Sequence, residues 1–422
     1  MRSRSLVVCA LAMSLFVAAC SDDSSSSNAT AEDTAAEVPE TTVAATDAPT
    51  TAAPTTTVDP ATAAMAYTEP GPYPVGVTTL QLPDGGPLVE VWYPAVEGTT
   101  GTEGYDARDF TPEALKAILT ADVAADFSYT AGRDADVADG SFPLVGFSHG
   151  FSGFRLQSTG LTSHLASWGM VVVSSDHPSR DLAHLTDMLS AGTRPADTSV
   201  AELTGAIDLI LRANSTDGSR FFGVIDDTHI ATLGHSAGGG TAYRVALADD
   251  RVDGYVSMAS GVSLGRGNDT TSTTLEPTTT VAPEYPEKPS FFIAGTADGI
   301  ADAEELTRPS FEGAPSPSLL WLIEGAGHLA FSDLCTLGGG LGIIGVAESN
   351  GLTAFLDSTP AIRSLGSDGC NPPALPVEDT FPIIDHSITS WLRSLFGIDA
   401  DPVGLDESVS DQYSTPVEIQ TR

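Results

Sequence analysis

The sequence predicts an α/β fold, a mostly parallel, eight-stranded, doubly wound sheet with helices on both faces. Two observations carry this expectation. Between residues 75 and 396, short apolar runs alternate with stretches of helical periodicity, the pattern of repeated βα units. The first two runs, in contrast, are joined only by Pro83-Asp84-Gly85-Gly86, so the sheet opens with an antiparallel pair.

The opening strands are Val75–Leu82 and Leu88–Tyr93. The third to eighth follow at Pro143–Phe147, Met170–Ser174, His229–Leu233, Val252–Met258, Ser290–Ala294 and Leu319–Ile323. Helical periodicity marks Thr111–Ala124, Leu156–Ser167, Val200–Ala213, Ala237–Ala248 and Ile384–Phe396. The stretch 111–124 and the segment 335–375 stand outside the alternation and read as insertions, the second as a lid or rim. A Thr/Pro-rich patch at 268–283 reads as a surface insertion. The folded domain is thus expected over 67–398, followed by an acidic tail at 399–422.

The N-terminus reads as an export signal over residues 1–20. Arg2 and Arg4 precede an apolar run from Leu6 to Ala19 that is short for a membrane span. Val17-Ala18-Ala19-Cys20 resembles a bacterial lipobox, with Cys20 as the lipidated residue; an ordinary signal peptide is the alternative. Lipidation would tether the chain on the extracytoplasmic face of the membrane. Residues 21–66 are Ser, Thr, Ala and Pro-rich and read as a disordered linker. Cys335 and Cys370 are the cysteines left in the exported chain, which suggests one disulfide, with two buried thiols as the alternative.

The 422 residues carry 56 acidic and 18 basic side chains, a net charge of −38, and Lys116 and Lys288 are the only lysines. Nucleic acid is excluded as a partner by this balance, because phosphate neutralisation requires basic clusters. Adsorption to anionic lipid is disfavoured for the same reason, leaving a lipid anchor as the expected link to the membrane.

Three stretches match Gly-x-Ser-x-Gly: Gly146–Gly150, Gly234–Gly238 and Gly261–Gly265. The motif carries chemistry only where a strand precedes the serine and a helix follows, since the sharp turn projects the hydroxyl. Ser263 runs into Gly265-Arg266-Gly267 and the Thr-rich patch, so it reads as a chance match. Ser148 and Ser236 both sit between strand and helix, the first after the third strand and the second after the fifth. Order along the chain separates them, for it resembles that of the α/β-hydrolases. There the nucleophile follows the fifth strand and the loop after the third supplies an oxyanion-hole amide. Ser236 is therefore the expected nucleophile. Asp298, just past the seventh strand, is the expected acid, with Asp302 as competitor, and His328, past the eighth, the expected base. Backbone amides of Ala237 and Phe151 are the expected oxyanion donors. His235 is expected to pack beside the site, and Phe147, Phe151, Phe154, His235 and Phe331 are candidates for an apolar acyl pocket.

With those residues placed, the chain resembles the platelet-activating-factor acetylhydrolase branch of the α/β-hydrolases. The resemblance is carried by Leu144–Pro178, by Gly-His-Ser-Ala-Gly-Gly at the elbow and by Gly-His-Leu-Ala-Phe-Ser-Asp around His328. Bacterial polyester hydrolases and cutinase-like esterases are similar at the elbow and the acid strand. The resemblance implies the same triad and the same oxyanion pair, and an acyl-enzyme mechanism on short-chain or phospholipid-type esters. Two other functions are compatible: hydrolysis of a polyester or cutin-like polymer, and an inactive binding lipoprotein on a hydrolase fold. No metal cluster or phosphate-cradling loop is evident, so no cofactor is expected.

Overall fold

A computed structural model of the protein describes residues 64–116, 118–119, 122–191, 195–262 and 283–422. The expected signal peptide, Cys20, almost all of the linker, Ser263 and nearly all of the Thr-rich patch lie outside the described residues.

The strands are β1 (Val75–Gln81), β2 (Leu88–Pro94), β3 (Thr102–Asp106), β4 (Asp126–Thr130), β5 (Gly132–Arg133), β6 (Phe142–Ser148), β7 (Val171–Ser175), β8 (Ile225–His235), β9 (Gly254–Met258), β10 (Ser290–Gly295), β11 (Ser318–Ile323) and β12 (Val417–Thr421). Ten of them form one sheet in the order β12-β11-β10-β9-β8-β6-β7-β2-β1-β5. From β7 through β6 and β8 to β11 every pairing is parallel, while β1/β2, β2/β7 and β11/β12 are antiparallel. The expected eight strands form the body of this sheet, and the two extra strands sit at its edges.

Alternation along the strands sends side chains into two apolar layers. Val89, Val91 and Tyr93 of β2 join one layer and Trp92 the other. On β11, Leu320 and Leu322 face the first, and Leu319, Trp321 and Ile323 face the second. Four helices cover these faces: α1 (Thr159–Ser167), α2 (Ser199–Asn214), α3 (Ala237–Ala248) and the long α7 (Val377–Leu395). The first face is covered by α2 and α3 through Leu203, Ile207, Ile210 and Val245; the second by α1 and α7 through Leu161, Leu165, Ile388 and Leu392.

Two sequence expectations are corrected and one element is added. Among its described residues the stretch 111–124 holds one helical turn, Glu113–Lys116, instead of a full helix; its Leu115 and Leu119 face a cavity rather than the core. Residues 102–130 contribute a separate two-stranded hairpin, β3/β4, that the sequence reading did not anticipate. The expected acidic tail is no tail: Val417–Thr421 pairs with β11 in a register that buries Val417 and Ile419 and leaves Glu418 and Gln420 outside. A five-residue strand with one apolar side chain in two is too short for its period to stand out in an acidic context.

Segment 335–375 is helical, with α4 (Gly342–Ser349), α5 (Thr353–Ser358) and α6 (Pro360–Ser367). Cys335 and Cys370 form a disulfide that closes this segment at both ends, 35 residues apart in sequence. On the chain-entropy account a loop of that length lends about 4 kcal/mol. A Cys335→Ser/Cys370→Ser double variant is therefore expected to lower the denaturant midpoint, by up to that amount in unfolding free energy. An unchanged midpoint would remove the bridge from the stability of the domain.

Candidate active site

At the end of β8 the chain turns sharply into α3. Ser236 sits at the turn with φ 57° and ψ −125°, a left-handed conformation that costs energy for a residue bearing a Cβ. Its N–H is held by the Met258 carbonyl at 2.8 Å. The turn is possible because α3 lies almost against β6. A Cβ on Gly238 would stand 1.9 Å from the Ser148 carbonyl oxygen, so only glycine fits there.

Loops after β10 and β11 bring the partners. His328 Nε2 lies 2.9 Å from Ser236 Oγ, and His328 Nδ1 lies 2.8 Å from Asp298 Oδ2. The other Asp298 oxygen accepts from the N–H groups of Ile300 and Ala301 at 2.9 and 2.7 Å, which fixes the carboxylate plane. With Asp298 facing Nδ1, the imidazole carries its proton there and leaves Nε2 to accept from the serine. Asp302 stands apart: its carboxylate caps the helix that starts at Ala303 by accepting from Glu304 and Glu305 N–H. The structure thus brings together Ser236, His328 and Asp298 and excludes the competitor.

Ala237 is the first residue of α3, where an N–H has no intrahelical acceptor. The turn after β6 packs against it, for a Cβ on Gly150 would be 3.2 Å from Ser236 Cβ. Phe151 follows that glycine. The Gly150 carbonyl accepts from His149 Nδ1 at 2.8 Å and from Gly153 N–H at 3.2 Å. Its N–H donates to Gln157 Oε1 at 3.2 Å.

His235 is fully buried and bonded at both ring nitrogens, Nε2 donating to the His328 carbonyl at 2.9 Å and Nδ1 accepting from Gln157 Nε2 at 3.0 Å. Burial pushes its pKa well below the ordinary imidazole value. It braces the His328 loop, in keeping with the packing role expected of it. Gln157 and Asp368 were not singled out in the sequence, and both tie the site together. Asp368 Oδ1 accepts from His328 N–H at 2.7 Å, its Oδ2 accepts from Gly299 N–H at 3.1 Å, and its carbonyl accepts from Leu329 N–H at 2.9 Å. One carboxylate next to the disulfide therefore clamps the acid loop to the base loop. No motif surrounds Asp368, and no signal in the sequence marks it.

Ser236, His328, Gly150 and Phe151 open onto a cavity of about 110 Å³. Its walls are apolar: Leu115 and Leu119 on one side, and Ile343, Leu352, Phe355 and Leu365 from α4 to α6 on the other. Of the aromatic candidates, Phe151 and His235 line it, whereas Phe147 and Phe154 are core residues at the sheet, exposed by no more than 1%. Among the described residues no group of three or more His, Cys, Asp or Glu is arranged to hold a metal ion.

Strand order, elbow and the Ser–His–Asp geometry define an α/β-hydrolase of the serine type. The sequence profile of the family described as "Platelet-activating factor acetylhydrolase, isoform II" matches residues 84–199, from the β1–β2 turn to the start of α2. Over that stretch the chain is similar to the acetylhydrolases of the α/β-hydrolase superfamily, which are carboxylic ester hydrolases. Its structure is also similar to that of a ferulic acid esterase from Streptomyces cinnamoneus, at 20% identity and a TM-score of 0.49, covering 78% of this chain and 92% of that one. No curated protein sequence matches the chain.

Proposed function

We propose that the protein hydrolyses carboxylic esters through an acyl-enzyme formed on Ser236, acting on short-chain or phospholipid-type esters outside the cell, where a lipidated Cys20 tethers it. The unbroken chain from Ser236 Oγ through His328 to Asp298, opening on an apolar cavity, is the observation that carries this reading.

His328 Nε2 takes the hydroxyl proton as Ser236 Oγ attacks the ester carbonyl carbon. The imidazolium that forms faces the Asp298 carboxylate. Charge then collects on the carbonyl oxygen, to which the Ala237 and Phe151 amides donate. Collapse expels the alcohol, which receives the proton from His328 and leaves the acyl group on Ser236. Water, deprotonated by the same imidazole, attacks the acyl carbon, and the carboxylic acid departs with Ser236 restored. The apolar walls suit a hydrocarbon acyl chain, and the roof formed by α4 to α6 favours a single chain over a polymer strand. Among the described residues no helix is long and apolar enough to cross a membrane, so the proposed attachment rests on Cys20.

A fluorophosphonate probe tests the chemistry: wild type is labelled and Ser236→Ala is not. Hydrolysis of p-nitrophenyl esters of increasing length, beside a polyester film, tests the substrate class. Activity should peak on short to medium acyl chains with no release from the film. Film hydrolysis at a comparable rate would overturn the proposed class and leave the mechanism standing.

A further inference from the structure

The serine of the first Gly-x-Ser-x-Gly match lies in a second serine–histidine–acid chain. Ser148 Oγ is 2.8 Å from His177 Nε2, and His177 Nδ1 is 2.8 Å from Glu202 Oε2 on α2. Ser148 and His177 have no exposed surface, so no ester can reach this hydroxyl. The chain also continues past the serine. Arg180 Nη2 donates to Ser148 Oγ and to the His149 carbonyl, each at 2.7 Å, and Nη1 donates to Thr241 Oγ1 at 2.8 Å.

These donors fix every proton. A guanidinium can only donate, so Ser148 accepts from it, and because Glu202 draws the neutral ring's proton to Nδ1, His177 Nε2 accepts the Ser148 hydrogen. His177 then holds its proton at Nδ1, facing Glu202. Burial pushes the pKa of His177 well below the usual imidazole value, and that of Arg180 down to about 10, which leaves the guanidinium charged at neutral pH. Its side-chain acceptors are all uncharged, and its Nε has no partner among the described residues. A buried cation without a carboxylate on its fork is costly, and core packing gives no reason for it.

Its position does give one. The Arg180 carbonyl accepts from Ser152 N–H at 2.8 Å, so the residue grips the turn 149–152 with both backbone and side chain. Thr241, at the far end of the fork, lies on α3 one turn past Ala237. His177 N–H donates to His149 Nε2 at 3.1 Å, and His149 Nδ1 in turn holds the Gly150 carbonyl. A trans peptide points its N–H opposite its carbonyl. Holding the Gly150 carbonyl therefore aims the Phe151 N–H.

We infer that Glu202, His177, Ser148 and Arg180 form a positioning chain for the oxyanion donor, locking the turn that carries the Phe151 amide to the helix that carries the nucleophile. Ser148 is a structural link in it and never attacks substrate. The inference rests on Ser236 as nucleophile and Phe151 as donor. A cation held behind the turn also favours the negative charge that develops in front of it.

Ser148→Ala, Arg180→Met and Arg180→Lys test the chain in the full-length protein. Turnover of p-nitrophenyl butyrate, thermal midpoint and inhibition by a butyl trifluoromethyl ketone, whose serine adduct carries the same oxyanion, are measured together. Loss of an oxyanion donor costs a factor of about 10²–10³, so a displaced donor should lower kcat roughly tenfold in Ser148→Ala and about 100-fold in Arg180→Met. Arg180→Lys, which keeps the charge and loses the fork, should fall between. KM should stay within about twofold, since the ground-state ester makes little use of these donors, while ketone affinity falls in step with kcat/KM. A folded Ser148→Ala protein with unchanged kcat would overturn the inference, as would turnover that drops while ketone affinity does not. Should Arg180→Met fail to fold, Ser148→Ala and Arg180→Lys decide. Labelling of Ser236→Ala by a fluorophosphonate would instead remove the assignment beneath it.

Discussion

Ser236→Ala is expected to lower kcat for p-nitrophenyl butyrate by roughly 10⁴–10⁶ with little change in substrate binding. In the proposed mechanism this hydroxyl bonds to the acyl carbon, and it is the serine hydroxyl hydrogen-bonded to His328 Nε2. His328→Ala should cost about as much, and the double variant no more than either, because nucleophile and base act as a unit. Asp298→Asn is the finer probe. Its amide would retain one oxygen for the Ile300 and Ala301 N–H groups, at 2.9 and 2.7 Å, and present an N–H to His328 Nδ1. The imidazole would then have to carry its proton on Nε2, facing the serine with a donor where an acceptor is required. A loss of about 10⁴ in kcat with an unaltered fold is the expected result. Burst titration of the acyl-enzyme separates these effects from unfolding. Turnover within tenfold of wild type in Ser236→Ala would end the mechanism.

Stability should fall steeply on the acid side of neutrality. His149, His177, His235 and His386 are buried, and each accepts a hydrogen bond at one ring nitrogen: from His177 N–H, the Ser148 hydroxyl, the Gln157 amide and Tyr67 N–H respectively. None can take a proton without losing that bond. Burial lowers His149 to about 3 and His386 to about 4, and lowers the other two well below the ordinary 6.5. The unfolded chain binds protons at these residues as pH drops below 6.5 and the native state does not, so stability is full above that value and is lost as pH falls. By pH 5 each residue with a stated value contributes a loss of about 2 kcal/mol. Carboxyls raised by burial, Asp181 and Glu202 among them, act in the opposite sense. Burial raises Asp333 to about 7 and pushes Asp385 well above its usual value, so they destabilise the native state as pH rises from 4 towards 7 and relieve it on the way down. With His164, which burial lowers to about 4, five imidazoles outweigh these carboxyls and leave a net loss. The thermal midpoint is expected to drop by roughly 3–5 °C between pH 7 and pH 5, and Asp333→Asn to raise it at pH 8. A midpoint that holds or rises on acidification would refute this balance.

Strand order was legible because apolar runs of five or six residues, separated by helical periods, leave few ways to build a sheet. It sufficed to separate Ser236 from Ser148 and to place Asp298 and His328, since each follows a strand end and a glycine. The edge strand Val417–Thr421 was not legible. It gains its meaning from the register against β11, and its five residues look like any acidic terminus. The stretch 111–119 misled for a related reason: its leucines recur at helical spacing but face a cavity.

The sequence by itself pointed to the sheet, the elbow and the three residues Ser236, His328 and Asp298 that the structure joins by hydrogen bonds, because local pattern and chain order encode them. Only the tertiary structure decided what the other polar residues do. Asp368 reaches the triad loops from an insertion, Gln157 joins the turn after β6 to His235, and Ser148 turns out to be bound to Arg180 and to His177, whose other ring nitrogen faces Glu202. Each of those contacts links positions 7 to 78 residues apart, and hydrogen bonds at such separations leave no periodic trace in the chain.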